Sequence, residues 1–308
     1  MKVVFMGTPE FAVPCLEKLF EENYEVVGVY TQPDKPKGRG YVLTPPPVKE
    51  LALKHNVPVF QPTKMRDEET INTLKSLNPD VIVVVAYGKI LPKEILDIPA
   101  LGCINVHASL LPKYRGAGPI QWSVINGEKV TGVTTMYMDV GLDTGDQIID
   151  NSLEIGENET AGEVHDRLSI LGAETLSETL KLVSANKAPR KKQDDSLATY
   201  APMLDKNLCE IDFSKDVHEI HNLIRGLSPW PVATTKLNGK TLKIHRSVVL
   251  EKECNANFGE VVENNGRLVV ACKNGCIEIL QLQLEGKKRM DTAEFLRGHS
   301  IDVKTILG

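Results

Sequence analysis

Three polar residues between positions 105 and 143 have types and a spacing suited to acyl transfer. Asn105 and His107 lie two apart in the apolar run Cys103-Ile-Asn105-Val-His107. Side chains alternate between the faces of a strand, so an amide donor and an imidazole point the same way. Asp143 sits in a loop between Gly141 and Gly145, and flanking glycines let a carboxylate approach other backbone closely. A carboxylate beside a histidine holds the ring in one tautomer. Together the three can donate to an oxyanion forming on an acyl carbon and help an attacking amine lose its proton. A plainer arrangement fits the same spacing, with a strand-end histidine capping a loop and an aspartate satisfying turn amides. Spacing alone leaves both open.

A second candidate is the stretch Pro33-Asp-Lys35-Pro-Lys37-Gly38-Arg39-Gly40, which runs on into Pro45-Pro-Pro47. A Gly- and Pro-rich surface loop with three cations in five residues can reach a nucleic-acid backbone or stem end, or can simply be solvated. Two further basic groups, Lys187, Arg190, Lys191 and Lys192, and Lys287-Lys288-Arg289, are candidate phosphate contacts. Other features carry less. The first strand lacks the G-x-G-x-x-G fingerprint, which argues against a dinucleotide-dependent oxidoreductase. His218 and His221 are three apart with no further ligands at metal spacing, so they read as ordinary helix residues. Six cysteines are scattered at 15, 103, 209, 254, 272 and 276. They are expected to be free thiols, including Cys272 and Cys276, which flank a turn.

The elements that must position these residues follow an alternating pattern. Residues 2–6 form a short apolar strand that ends at Gly7. Thr8 suits a helix N-cap and Pro9 the first helical position, and the helix should bury Phe11, Leu16 and Leu19 with an irregular first turn at Pro14. Strands are expected at 26–30, 81–86 and 103–107, a helix at 65–77, and a later antiparallel pair at 134–138 and 147–149. The run 81–86 is apolar throughout, as in a strand buried on both faces. Thr160 and Glu163 form a capping box that opens a long helix through Val164, Leu168, Leu171, Leu176 and Leu180. Strand, helix, strand at this spacing predicts an α/β fold, an open and mostly parallel Rossmann-like sheet with helices on both faces. Near residue 185 the chain turns polar and basic. Beyond it, Val217, Ile220, Ile224 and Leu227 recur at helical spacing. Turn signals at Asn238-Gly239, Asn264-Asn265-Gly266 and Lys273-Asn274-Gly275 then predict a C-terminal small β-barrel.

The expected division is a catalytic domain over 1–186, a basic linker over 187–205 and the barrel over 206–308. With 308 residues, 42% of them hydrophobic and 25% charged, the chain has a globular balance that excludes disordered, collagen-like and coiled-coil classes. No apolar run approaches the roughly 18 residues a membrane span needs. The first residues run straight into a strand and do not read as an export signal, so a cytoplasmic protein without membrane association is expected. The net charge is −5, while residues 206–308 carry 15 basic and 13 acidic residues. Nucleic-acid contact must therefore come from local patches.

Asn105-x-His107, the run from Ser109 through Leu110, Leu111 and Pro112 to Tyr114-Arg-Gly116, and Asp139-x-Gly-Leu-Asp143-Thr-Gly145 resemble the signature of the formyltransferases that use 10-formyltetrahydrofolate. The likeness extends through Val4-Phe-Met-Gly-Thr-Pro9, Tyr30-Thr-Gln-Pro-Asp34, Val84-Val-Ala-Tyr-Gly88, Pro229-Trp-Pro231 and Gly286-Lys-Lys288, and so covers nearly the whole chain. It is closest to the branch that acts on methionine-charged initiator tRNA. The resemblance implies that Asn105, His107 and Asp143 are catalytic, and that Ser109, Leu110, Leu111 and Pro112 contact the folate. It also implies that the loop with Lys35, Lys37 and Arg39 meets the tRNA acceptor stem, and that the barrel is oligonucleotide-binding-like (OB-like) and helps hold the tRNA. The expected cosubstrate is 10-formyltetrahydrofolate, with no metal, and the expected enzyme is a monomer. Rival readings are a formyltransferase for a small amine, such as glycinamide ribonucleotide or an amino sugar nucleotide, and a non-catalytic RNA-binding relative. The Gly-Arg-Gly loop and the barrel speak against the first, and the intact polar triad against the second.

Overall fold

Strand β1 (Lys2–Gly7) is buried from its second residue onward and lies inside a seven-stranded sheet. A computed structural model describes residues 1–37 and 41–308 of the chain. The chain falls into two units. The first comprises Met1–Gly116, Thr131–Leu153 and His165–Tyr200. The second comprises Ala117–Val130, Glu154–Val164 and Ala201–Gly308.

The other strands of this sheet are β2 (Glu25–Tyr30), β5 (Val59–Phe60), β6 (Val81–Val85), β7 (Cys103–His107), β9 (Val130–Tyr137) and β10 (Gln147–Glu154). Between them run a hairpin of β3 (Lys35–Lys37) with β4 (Val42–Thr44) and the short β8 (Arg115–Gly116). The sheet order is β10-β9-β7-β6-β1-β2-β5. Pairs β1 with β2, β1 with β6, β2 with β5 and β6 with β7 are parallel, and β7 with β9 is antiparallel. This is the mostly parallel sheet that the alternation of elements predicts. All five residues of β6 are buried, which is why its run is continuously apolar instead of alternating.

The start of the first helix departs from expectation. Thr8 is not its N-cap: its hydroxyl donates to the carbonyl of Tyr87 and accepts from the backbone N–H of Gln32. A 3-10 turn at Glu10–Ala12 precedes the α-helix Val13–Glu21, which places Pro14 in the first helical turn. There a missing N–H costs nothing, because that group has no intrahelical partner anyway. Phe11, Leu16 and Leu19 are buried as expected. The helix expected over 65–77 is shorter, Glu68–Ser76.

The second unit contains the helix Val217–Gly226 and a six-stranded sheet over strands from Ala233 to Asp291. Its printed pairings, such as Ala233–Leu237 with Lys240–Leu250 and Leu268–Cys272 with Gly275–Leu284, are antiparallel. All three turn signals match positive φ values, with Asn238 at 49° and Gly239 at 76°, Gly266 at 73° and Asn274 at 64°. Asparagine and glycine tolerate that left-handed backbone. Val217, Ile220, Ile224 and Leu227 lie in the core of this unit with Ile244, Ile277 and Phe295.

The expectation of six free thiols is corrected here. Cys254 and Cys276 form a disulfide, with Cα atoms 6.5 Å apart. The pairing of Lys240–Leu250 with Gly275–Leu284 sets Leu250 opposite Cys276 and so brings Cys254 within reach. That contact depends on long-range register, which cysteine spacing does not display. Cys15, Cys103, Cys209 and Cys272 are free and buried. Burial pushes the thiols of Cys15, Cys103 and Cys272 up to about 12, so they stay protonated and unreactive at neutral pH. Among the described residues, no helix is long and apolar enough to cross a membrane.

Candidate active site

β7 carries Asn105 and His107 to its C-terminal end, where parallel sheets place their ligand sites. Antiparallel pairing with β9 fixes their height, with Asn105 opposite Met136 and His107 opposite Thr134. Asp143 reaches the same place from the loop joining β9 to β10. Its Oδ1 accepts from Asn105 Nδ2 at 3.4 Å, and its Oδ2 lies 3.7 Å from His107 Nδ1. The structure therefore brings together the three residues that the sequence singles out. The His107 side chain is 6% exposed and that of Asp143 12%, so both work at reduced dielectric, where charge and hydrogen bonds act more strongly.

The tight hold on the histidine comes from a group that sequence reasoning misses. His107 Nε2 lies 2.9 Å from the backbone carbonyl of Tyr114. A carbonyl only accepts, so Nε2 carries the proton and donates. This fixes the tautomer and leaves Nδ1 facing Asp143 and the open end of the strand. Tyr114 adopts a φ of 61° and its own N–H donates to Thr199 Oγ1. The Asp143 carboxylate is fixed in turn by the backbone N–H of Gly116, 2.9 Å from Oδ2. No side-chain pattern announces either backbone contact.

The loop that carries Asp143 is internally braced. Asp139 Oδ1 accepts from the N–H of Gly141 and from Thr144 Oγ1. Gly145 packs so closely that a Cβ there would lie 1.7 Å from the carbonyl oxygen of Tyr137. Asp143 itself has a φ of 53°, a left-handed conformation that aspartate tolerates better than most residues.

Ser109, Leu110, Leu111 and Pro112 form the turn directly after β7. Thr134 Oγ1 donates to the Ser109 carbonyl at 2.7 Å and accepts from the Leu111 N–H at 3.1 Å. Gln147 Nε2 donates to the Leu111 carbonyl. Ser109 is buried and its hydroxyl donates to the Lys113 carbonyl, so it shapes the turn. Of the basic stretch, Lys35–Lys37 forms β3, in which Lys35 pairs with Thr44 and Lys37 with Val42. Lys35 is exposed, as are Tyr41, Val42 and Leu43. The hairpin base is anchored by Lys49 Nζ, which donates to both Asp34 oxygens at 2.8 Å and to Gln61 Oε1. The Lys49 and Gln61 hydrogen bonds hold the Asp34 carboxyl below the usual carboxylate range. Arg39, together with Gly38 and Gly40, lies outside the described residues.

The site can thus present an amide donor, an oriented imidazole and a fixed carboxylate to one reacting centre. Among the described residues, no group of three or more His, Cys, Asp and Glu side chains is placed to hold a metal ion. Comparison with known proteins agrees with this chemistry. The family model for formyl transferase matches residues 1–180, and that for the formyl transferase C-terminal domain matches residues 203–300. A methionyl-tRNA formyltransferase from Clostridioides difficile (strain 630) is 54% identical over 309 residues, covering 100% of both chains. Another from Geobacter sulfurreducens is 53% identical, covering 100% of this chain and 97% of its own. In fold, the chain is similar to an N-formyltransferase from Helicobacter canadensis in complex with folinic acid and dTDP-3-aminofucose. That likeness has a TM-score of 0.69 at 21% identity and covers 94% of this chain and 100% of the other. On its matched domains and its full-length relatives, the chain belongs to the formyl transferase family.

Proposed function

We propose that the enzyme transfers the formyl group of 10-formyltetrahydrofolate to the α-amine of methionine on initiator tRNA, acting in the cytoplasm as a monomer. Full-length identity of about half to several methionyl-tRNA formyltransferases supports the acceptor. The observation that carries the chemistry is the convergence of Asn105 and His107 on the Asp143 carboxylate, at 3.4 and 3.7 Å.

The folate substrate brings the formyl carbonyl, and the chain's own residues do the rest. Asn105 Nδ2 donates to the formyl oxygen as negative charge develops on it. His107, turned by Tyr114, directs Nδ1 to the reacting centre, where its lone pair takes a proton in transit and, once protonated, donates to the same oxygen. As the amine bonds to the formyl carbon, Asp143 offers the acceptor for the proton the amine must lose, directly or through one water; the bond from the formyl carbon to N10 of the folate then breaks and that proton passes to the departing N10, leaving tetrahydrofolate. Its carboxylate is held ready by the Gly116 N–H, which removes the cost of reorganising it during the reaction. The turn at Ser109, Leu110, Leu111 and Pro112 forms one wall for the folate. The cations Lys35, Lys37 and Arg39 meet the tRNA backbone, and residues 206–308 help hold the tRNA beyond the linker 187–205.

Purified protein supplied with 10-formyltetrahydrofolate and methionine-charged initiator tRNA should yield formylmethionyl-tRNA by mass spectrometry, and glycinamide ribonucleotide and an amino sugar nucleotide should stay unformylated. Product on a small amine alone would keep the chemistry and refute the tRNA assignment. Lys35→Glu should raise the KM for the tRNA, most at low salt and less as salt screens the charge, with little change in the KM for the folate. An unchanged tRNA KM would remove Lys35 from the interface.

A further inference from the structure

The stretch 187–205 reads as a polar linker, yet Gln193 within it is only 6% exposed. Its amide nitrogen donates to two carbonyls of the loop that presents Asp143: that of Asp143 itself and that of Gly145, each at 2.8 Å. Its amide oxygen accepts from Arg115 Nε at 3.1 Å and from Arg115 Nη2 at 2.8 Å. Arg115 is 2% exposed, and Nη2 also donates to Asp195 Oδ1 at 2.7 Å. A guanidinium can only donate and a carbonyl can only accept, so the amide fits in one orientation. A flip would oppose two donors to donors and two acceptors to acceptors.

These bonds close a ring around the carboxylate. The N–H of Gly116 grips the Asp143 side chain at Oδ2. The side chain of the preceding residue, Arg115, grips the Asp143 backbone through Gln193. The loop needs such a hold, because Asp143 sits at a φ of 53° and the aspartate side chain is also engaged elsewhere. The geometry points to Gln193 as a positioning residue for the transfer reaction, with Arg115 setting its orientation: it holds the Asp143 loop where the carboxylate faces Asn105 and His107. The assignment rests on the role proposed above for Asp143.

Two variants test it. Gln193→Met removes all four hydrogen bonds at similar volume. Gln193→Glu keeps the shape and the partnership with Arg115 but sets a carboxylate oxygen against the two carbonyls. Both should fold with a lowered melting temperature, since buried polar groups lose partners, and lose roughly 10- to 100-fold in kcat, because small misplacements of a reacting group are costly. The KM for folate and for tRNA should change little. The decisive readout is non-additivity. Added to Asp143→Ala, Gln193→Met should lower kcat by less than about twofold, since a group acting through Asp143 has nothing left to position. The assignment is overturned if either folded variant keeps wild-type kcat, or if the losses multiply in the double variant. It is also overturned if neither variant folds, which would mark Gln193 as a residue that holds the fold. A wild-type enzyme that formylates and an Asp143→Ala variant as active as wild type would instead refute the role of Asp143 itself.

Discussion

His107 shows how the site divides labour between side chain and backbone. Alternation along a strand is enough to place it on one face with Asn105. What orients it is the Tyr114 carbonyl at 2.9 Å, and Asp143, expected to be the orienting group, stands 3.7 Å away. The strand pattern is legible because it follows from a period of two. Tyr114, Gly116 and Gln193 are not, because they act through backbone groups or through tertiary contacts with no periodic trace. Gly145 makes the same point from the loop. Its glycine could be read as a turn signal, but the reason for it is an approach to Tyr137 that leaves no room for a methyl group. Gly145→Ala must push the Asp143 loop away from Tyr137. We expect kcat to fall roughly tenfold or more and stability to drop by about 1–3 kcal/mol. Kinetics with a thermal melt check both, and a variant matching wild type in each would mean the loop adjusts at no cost.

Among the elements, the helix Ala161–Ser184 was the most readable. The capping box forms as expected: the Thr160 N–H donates to Glu163 Oε2 at 2.9 Å, and the Glu163 N–H donates back to Thr160 Oγ1 at 3.3 Å. Thr160→Ala should cost about 1 kcal/mol in denaturant unfolding, since it removes a partner from a helix-end N–H. A loss below about 0.3 kcal/mol would show that the cap contributes nothing measurable. The first helix was less legible, because the 3-10 turn at Glu10–Ala12 shifts its start past Thr8 and Pro9. The stretch 187–205 was legible only as polar. Its composition hides the Gln193 clamp and the backbone pairing of Lys191 with Gln147, because both depend on where the sheet lies.

At the scale of the whole molecule, the parallel sheet and the antiparallel C-terminal sheet were visible in the order of elements and in their turns. The cysteine pairing and the buried histidines of the second unit were not. His245 is 5% exposed and, among the described residues, neither ring nitrogen has a hydrogen-bond partner. Burial, reinforced by the charges of Arg289 and Lys243, pushes it down to about 4. His221, hydrogen-bonded to Ser247 and to the carbonyl of Glu157, is also pushed down, chiefly by burial. A histidine whose folded value lies below its unfolded one contributes fully above the unfolded value, near 6.5. That contribution is lost as pH falls toward the folded value, because the unfolded chain then binds the proton more readily. Stability should therefore decline between about pH 6.5 and 4, with His245 supplying on the order of 2–3 kcal/mol of the change. Denaturant unfolding across that range should show a shallower decline for His245→Gln, and an identical slope would place the pH dependence elsewhere.

The most direct test of the central claim is the single-turnover rate of formyl transfer to methionine-charged initiator tRNA, with wild type, His107→Ala and Asp143→Ala compared under saturating enzyme. Both variants should keep the wild-type melting temperature and transfer at least about 10²-fold more slowly. A folded variant within about threefold of wild type would contradict the assignment of transfer to this cluster.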